Sequence, residues 1–542
     1  MSCTVEDAWY KNAVVYCLAV ETFMDGDGDG IGDFDGLIGQ LDYLSWLGVD
    51  CLWLEPFFPS PWNDHGYDVA DFRGVDPRLG TPEQFERLTR EAASRGMRVL
   101  VDLVFNHTSE EHSWFQSARS DRSSEHRDYY IWTDDPASEP EQPNAFPTRQ
   151  SSPWTYDEQA GQYYLHRFYR HEPDLNVAHP ALADELTDIA RFWLERGAAG
   201  FRVDAAHFLV QKLEQSGDPD PHRLLRELHR VVKDSRPDGV LLAEADVDPA
   251  QVPDFFAGGK ECTLLLNFVL DCNIFLALAR RQAEPIRRVL QSLPEPPQAC
   301  QWANFVRNQD ELNLARLSPE ERDAVFAAFA RSPKERAFNR GIRRRVPAML
   351  RGDRRRIELV YSLLFSLPGT PVLGYGDEIG MGDKLDLPER MSVRTPMQWS
   401  AEPGGGFSSA VEDGLAPYLI ATGEYGHERV NLEDQRRDPD SLVNWIRETV
   451  HARRDLPEIG YGRLVLLETD KPSVFAHACE WRGSGVAAAH NLSSEPCTFM
   501  LDGLDGYLRD DSLPTDGDSG EFDSSNLTLG PYGYRWLRFG DS

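Results

Sequence analysis

The feature that most constrains this chain is an alternation. Eight short apolar runs recur along it: AVVYCLAV (13–20), CLWL (51–54), RVLVDLVF (98–105), GFRVDA (200–205), VLLAEA (240–245), TLLLNF (263–268), QWANFV (301–306) and TPVLGY (370–375). Continuous runs of this kind suit strands buried on both faces. Amphipathic stretches lie between them. Leu37 to Leu47 places Leu37, Ile38, Leu41, Leu44 and Leu47 at helical spacing, and others cover 181–196, 223–233, 284–292, 354–366 and 441–454. Thr81-Pro82-Glu83 opens a further helix with a capping residue and a proline at its first position. Eight strands, each followed by a helical stretch, predict an α/β fold of (β/α)8 barrel type.

Two insertions interrupt the repeat, and the pattern changes near the end. Residues 106–178, rich in Ser, Pro, Tyr and charge, separate the third strand from its helix. Residues 307–353 follow the seventh strand and carry the run GIRRR (341–345). From about Glu458 short alternating strands appear, such as RLVLLE (463–468) and SVFAHACEW (473–481), followed by an acidic, turn-rich stretch at 502–525. The division expected is a barrel domain over 1–105 and 179–457, a small inserted domain over 106–178, and a C-terminal antiparallel β-sandwich over 458–542.

Charge narrows the partners. With 89 acids against 56 bases the net charge is −33. That balance disfavours nucleic acid and anionic membrane surfaces, both of which demand a basic face. A small neutral molecule is the simplest partner, and self-association is left open. No run approaches the 18 apolar residues of a membrane span, and acids early in MSCTVEDAWYKNAVVYCLAV disfavour a signal peptide. The eight cysteines, Cys3 among them, are scattered without a CxxC pair. Reduced thiols in a cytoplasmic protein are expected.

In such a barrel, chemistry sits at the C-terminal ends of the strands. Those ends carry Asp102, Asn106 and His107 after the third strand and Arg202 and Asp204 at the fourth. Glu244 ends the fifth, and Asn308, Gln309 and Asp310 follow the seventh. A buried carboxylate is costly without partners, so three converging on one mouth suggest acid–base and nucleophilic work.

The segments VDLVFNH, GFRVDAAH, LLAEA and FVRNQD resemble, in order, the four signature segments of glycoside hydrolase family 13, the α-amylase family. HGYDVADF (65–72) and EPDLN (172–176) resemble two more. Within the family, WYKNAVVY, FPSPWNDHGYD, NQDELNLARLSPEERDAVF, GIRRRVPAML, SLPGTPVLGYGDEIGMGD and RTPMQWS are similar to the trehalose synthase (maltose glucosyltransferase) branch. The resemblance implies a retaining enzyme with Asp204 as nucleophile and Glu244 as general acid and then base. Asp310 would stabilise the transition state, and Arg202 would keep Asp204 ionised. Tyr67 would be an aromatic platform, and Asp68, His107 and Arg394 would bind hydroxyls of a glucose ring.

The loop DGDGDGIGD (25–33) matches the first nine positions of an EF-hand, but Gly36 stands at the twelfth and cannot supply the bidentate Glu. A full EF-hand is therefore rejected. The resemblance instead implies a structural Ca²⁺ (or Mg²⁺) held by Asp25, Asp27, Asp29, Ile31 and Asp33. It implies a second ion at Asn106 and Asp174, although the expected third acid is Gln211 here.

Other departures bear on specificity. Gln309 replaces the family histidine; its amide can donate a hydrogen bond but cannot become cationic, so slower turnover is expected. Ala206-His207 replaces a usual proline after the nucleophile, and DLPERMSVR (386–394) differs from the loop common in that branch, where the second sugar should sit. Interconversion of maltose and trehalose by intramolecular glucosyl transfer is the leading expectation. A hydrolytic α-glucosidase acting on maltose, trehalose or sucrose competes with it, and a weakly active sugar-binding homologue is a third reading.

Overall fold

The structure is a computed structural model that describes residues 8–146, 148–410, 418–502, 508–509, 521–522 and 527–540. Eight parallel strands close into a barrel: β1 (Val15–Leu18), β2 (Cys51–Leu54), β3 (Arg98–Leu103), β4 (Gly200–Val203), β5 (Val240–Ala243), β6 (Leu264–Leu266), β7 (Gln301–Asn304) and β8 (Thr370–Gly374). Each pairs with its neighbours in sequence, and β8 closes on β1 through Val15 opposite Val372. The apolar runs lack polar alternation because both faces are covered. Val15, Cys17, Trp53, Leu100, Leu242 and Leu264 fill the barrel interior. Their chain neighbours Val14, Tyr16, Leu18, Leu52, Val99 and Leu241 point outward into the helix layer.

The helices follow local signals. Thr81 accepts a hydrogen bond from Gln84 N, and Gln84 answers through Thr81 N, a capping box that starts Pro82–Ser94. The expected helix from Leu37 to Leu47 forms as two pieces, Phe34–Gly39 and Leu41–Leu47, broken at Gln40. After β6 the structure adds Phe268–Arg280 ahead of Glu284–Ser292. Periodicity does not mark it, because it is apolar nearly all round and packed between two other helices.

Residues after β3 form a small antiparallel sheet from Trp132–Thr133, Trp154–Asp157 and Gln162–Leu165. After β7, Leu312–Asn313, Arg336–Ala337 and Gly341–Ile342 pair around the helix Pro319–Phe329. The C-terminal strands Arg463–Leu466, Val474–Trp481, Ser484–Asn491 and Tyr534–Gly540 form an antiparallel sheet. Its alternation sorts residues between two cores: Phe475, Val486, Ala488 and Trp536 join the barrel's helix layer, whereas Val474, Ala476, Ala487 and Leu537 pack on the far side. Most of the acidic stretch at 502–525, and Cys3, lie outside the described residues. Among the described residues the seven cysteines are free, six of them buried, and no helix is long and apolar enough to cross a membrane.

Candidate active site

The strand ends converge on one guanidinium. Arg202, on β4, is buried, and its Nη1 lies 2.7 Å from Asp204 Oδ1 and 2.7 Å from Asp102 Oδ1. Its Nη2 pairs with Glu244, which directly follows β5. Asp102 also accepts hydrogen bonds from Trp53 Nε1 at 3.1 Å and the Tyr67 hydroxyl at 3.3 Å. Asp204 and Glu244 thus face adjacent nitrogens of one guanidinium, a close spacing of the kind retaining pairs use. The chain then turns sharply. Ala205 adopts φ 44°, a left-handed conformation costly for any residue with a Cβ, and starts the helix Ala206–Gln215. That strained corner leaves Asp204 at the barrel mouth.

One guanidinium cannot neutralise three carboxylates. Burial, reinforced by Glu244 and Asp102, drives the Asp204 pKa well up despite Arg202. Burial also lifts Asp102 to about 6, against the opposing pull of Arg202. The raised Asp204 pKa thus belongs to a cluster of carboxylates around one cation rather than to Asp204 alone. Across the mouth, Asp310 pairs with Arg394 and lies 2.8 Å from Arg390 Nη1. Burial alone would raise its pKa, but Arg390 and Arg394 outweigh that and hold Asp310 far below the usual carboxylate range.

A cavity of about 220 Å³ joins these groups; Tyr67, His107, Asp204, Glu244 and Asp310 line it. Burial lowers His107 to about 4, so its ring is neutral, with Nε2 3.2 Å from the Tyr67 carbonyl. The structure corrects the expectation for Asp68. That residue is fully buried and does not line the cavity; it accepts hydrogen bonds from Ser60 Oγ at 2.7 Å and from Asn63 N and Asp64 N. Asp68 braces the loop, and Asp64 faces the cavity instead. Gln309 donates to the Tyr67 hydroxyl at 3.1 Å, leaving its buried amide oxygen unpartnered. Arg394 lies behind Asp310 and is not among the lining residues.

The loop after β8 supplies Arg390, which sequence reasoning missed although it lies in the singled-out DLPERMSVR stretch. Its guanidinium lies 5.0 Å from the Phe146 ring centre and 5.8 Å from that of Phe338. Those two rings, one from each insertion, meet at 4.5 Å beside Arg390, which lines the cavity. The neighbouring Glu389 pairs with Arg149 and accepts from the Tyr169 hydroxyl at 2.5 Å. The GIRRR run holds the same loop. Arg343 donates to the carbonyls of Leu385, Leu387 and Glu389; Arg344 reaches Asp383 at 3.0 Å; Arg345 donates to the carbonyls of Tyr375 and Val393.

The two expected metal sites differ. Asp25, Asp27 and Asp29 each offer a carboxylate oxygen within 4.8 Å of the others, an all-oxygen set that fits a hard cation. Ile31 belongs to the same loop, where its N–H donates to Asp29 at 2.8 Å. Asp33 is spent otherwise: it caps the helix at Gly36 N and accepts from Gly26 N and Asp27 N. Gly36 is required because a Cβ there would collide with the Met24 carbonyl. The second site does not fit a metal. Lys212 places its ammonium 3.0 Å from Asp174 Oδ2 and 2.6 Å from the Asn106 carbonyl, so a protein cation stands where the ion was expected. Burial opposes the Asp174 charge, but Lys212 and Arg167 outweigh it and keep its pKa low.

Comparison with known proteins places the chain among relatives. The family described as the catalytic domain of alpha amylase matches residues 18–312 and 338–462, and a sucrose hydrolase-like C-terminal domain matches 483–538. A trehalose synthase of Pimelobacter sp. is 40% identical over 557 residues, covering 99% of this chain and 96% of that protein. A trehalose synthase/amylase of Mycobacterium tuberculosis is 42% identical over 508 residues, covering 92% and 84%. Among solved structures, the trehalulose synthase of Pseudomonas mesoacidophila MX-45 superposes with a TM-score of 0.76 at 27% identity, covering 98% of this chain and 99% of that one.

Proposed function

The chain belongs to the α-amylase family, and on that premise we propose that it interconverts maltose and trehalose by intramolecular glucosyl transfer. The observation that carries this reading is the shared guanidinium, with Asp204 and Glu244 side by side on Arg202. Full-length likeness to trehalose synthases supports it.

In this reading a glucosyl ring sits on Tyr67, with Asp64, His107 and Asp310 at its hydroxyls. Glu244 gives a proton to the bridging oxygen while Asp204 attacks C1, forming a glucosyl ester. Arg202 offsets the charge on Asp204 when it leaves. The freed glucose turns within the cavity, and its anomeric hydroxyl attacks C1 as Glu244 takes its proton. Two inversions give net retention. Excluding water is what separates isomerisation from hydrolysis, and the loop held by Arg343 and Glu389 supports that exclusion. Ca²⁺ at Asp25, Asp27 and Asp29 would stiffen the loop between β1 and its helix, away from the reacting atoms.

We also read the protein as cytoplasmic, a placement supported by its free thiols. The alternative is a hydrolytic α-glucosidase. Incubation with maltose separates the two: trehalose as main product is expected, and glucose without trehalose overturns the isomerase reading. Parallel incubations with trehalose and sucrose show which disaccharide is preferred.

A further inference from the structure

Another cavity lies at the end of the barrel opposite the catalytic mouth. It holds about 410 Å³, within the usual ligand-pocket range of ~300–1,000 Å³. Lys11 precedes β1, Gln301 and Trp302 open β7, and Pro368 precedes β8, so part of its wall is built at strand starts. None of its described lining residues lines the catalytic cavity.

One donor on this wall is unspent. Lys11 is only 8% exposed, lines the cavity, and among the described residues has no hydrogen-bond or ion-pair partner. Its nitrogen is not among the unpartnered atoms sealed from solvent, so the ammonium remains reachable. The neighbouring amides are committed. Asn267 donates to Asn304 Oδ1 at 3.0 Å, Asn304 to the Pro368 carbonyl at 2.9 Å, and Gln301 to the Gly460 carbonyl at 2.8 Å. Arg463 adds a second cation at the rim, with one nitrogen on Glu480 at 2.8 Å. Glu295, exposed, is the one acid among the described lining residues and makes no ion pair with Lys11.

The chemistry of the wall selects its occupant. Burial lowers the Lys11 pKa, opposed by Cys300 and Glu295. The Cys300 thiol is itself pushed up to about 12 by burial, so it is neutral and supplies no counter-charge. A buried ammonium without an anion in contact is costly, and a bound anion would relieve that cost. In a chain of net charge −33, two cations facing one acid on a cavity wall stand out locally. A phosphate demands several converging N–H donors, which one buried ammonium does not supply. Leu270, Leu290, Leu293 and Trp302 line the rest and suit an apolar body. We propose that this cavity binds a small organic monocarboxylate with an apolar or aromatic body, its carboxylate on Lys11 and its body against those side chains.

The test is ¹⁹F NMR titration of the full chain with 4-fluorobenzoate and with its neutral analogue 4-fluorobenzamide. The parent is expected to bind the acid at least about tenfold more tightly than the amide, about 1.4 kcal/mol. Lys11→Met, which removes the charge and keeps the length, should bring the acid to the amide's level. Leu290→Trp, which fills the cavity and leaves the ammonium, should weaken acid binding about fivefold. Neither residue lines the catalytic cavity, so turnover of an aryl α-glucoside should stay at the parent's level in both variants. No binding of the acid by the parent, or equal binding of acid and amide, overturns the proposal. So does acid binding unchanged in the folded Lys11→Met variant, or displacement of the acid by maltose, which would place it in the catalytic cavity. Displacement by inorganic phosphate at equal concentration overturns the choice of a monocarboxylate. If one variant misfolds, the other still decides.

Discussion

Lys212 offers the sharpest test of how this barrel is held together. Its ammonium bridges Asp174 and the Asn106 carbonyl in a fully buried setting, tying the inserted segment to the helix behind the nucleophile. Lys212→Ala keeps a good helix former but leaves Asp174 short of a partner and the Asn106 carbonyl with the Leu175 N–H alone, at 2.9 Å. Breaking a buried pair costs about 3–5 kcal/mol. Asp174 keeps the Arg167 backbone N–H at 2.9 Å and its guanidinium at 3.6 Å, so the low end, about 3 kcal/mol, is expected. At roughly 2–4 °C per kcal/mol for domains of moderate size, and less for larger ones, Tm should fall by about 5 °C. The vacated space is lined by hard oxygens, including the unpartnered Asn106 Oδ1. Millimolar Ca²⁺ should therefore recover part of the loss, up to about 2.7 kcal/mol at a hundredfold excess over Kd. Differential scanning fluorimetry with EDTA or Ca²⁺, on parent and variant, measures both effects. An unchanged Tm would refute the bridging role. A Ca²⁺ increment no larger than the parent's would refute the claim that the ammonium stands in a cation site.

Four further outcomes follow from the site and the core. Asp204→Ala should lower turnover of an aryl α-glucoside by at least about 10⁴-fold, the scale seen when a covalent nucleophile is removed; residual turnover near the parent's would show the nucleophile is misassigned. Gln309→His should raise kcat/KM for that substrate about tenfold, or roughly 1.4 kcal/mol, by restoring a donor that can become cationic; a fall in initial rate would count against this. Asp64→Ala should abolish activity with little change in Tm, whereas Asp68→Asn should lower Tm, and the reverse pattern would undo their assignment. His477 and His490 sit between the C-terminal sheet and the helix Arg354–Ser366, bonded at 2.9 Å to Ser366 O and Ser362 Oγ, with both Nδ1 atoms unpartnered. Burial lowers His477 to about 4 and His490 further. The unfolded chain then binds more protons below the ordinary histidine pKa of ~6.5, so stability is full above that pH and is lost as pH falls toward 4. His477 alone should cost about 2 kcal/mol at pH 5, and a flat Tm between pH 7 and 5 would contradict this.

Much of the architecture is local and therefore legible. The eight apolar runs, the Thr81 cap and the Pro-led helices are one-dimensional signals, and each strand pairs with its sequence neighbour. The carboxylates were readable because barrel geometry puts residues just past each strand at one mouth. Phe268–Arg280 was missed because burial on all sides erases the stripe that periodicity needs. Asp64 and Asp68 are three-dimensional distinctions: two acids four residues apart in one loop, of which only the burial and hydrogen bonds of each show which faces the sugar pocket.

The sequence by itself determined the barrel, the order of its strands and the acids at their ends, since those depend on hydrophobic pattern and spacing. Only the tertiary structure decided which cation neutralises which acid. Lys212 stands where an ion was expected, Arg390 reaches Asp310, and one arginine serves Asp102, Asp204 and Glu244 at once. Charge pairing is set by distance and desolvation, and both arise only when segments far apart in the chain are folded against one another.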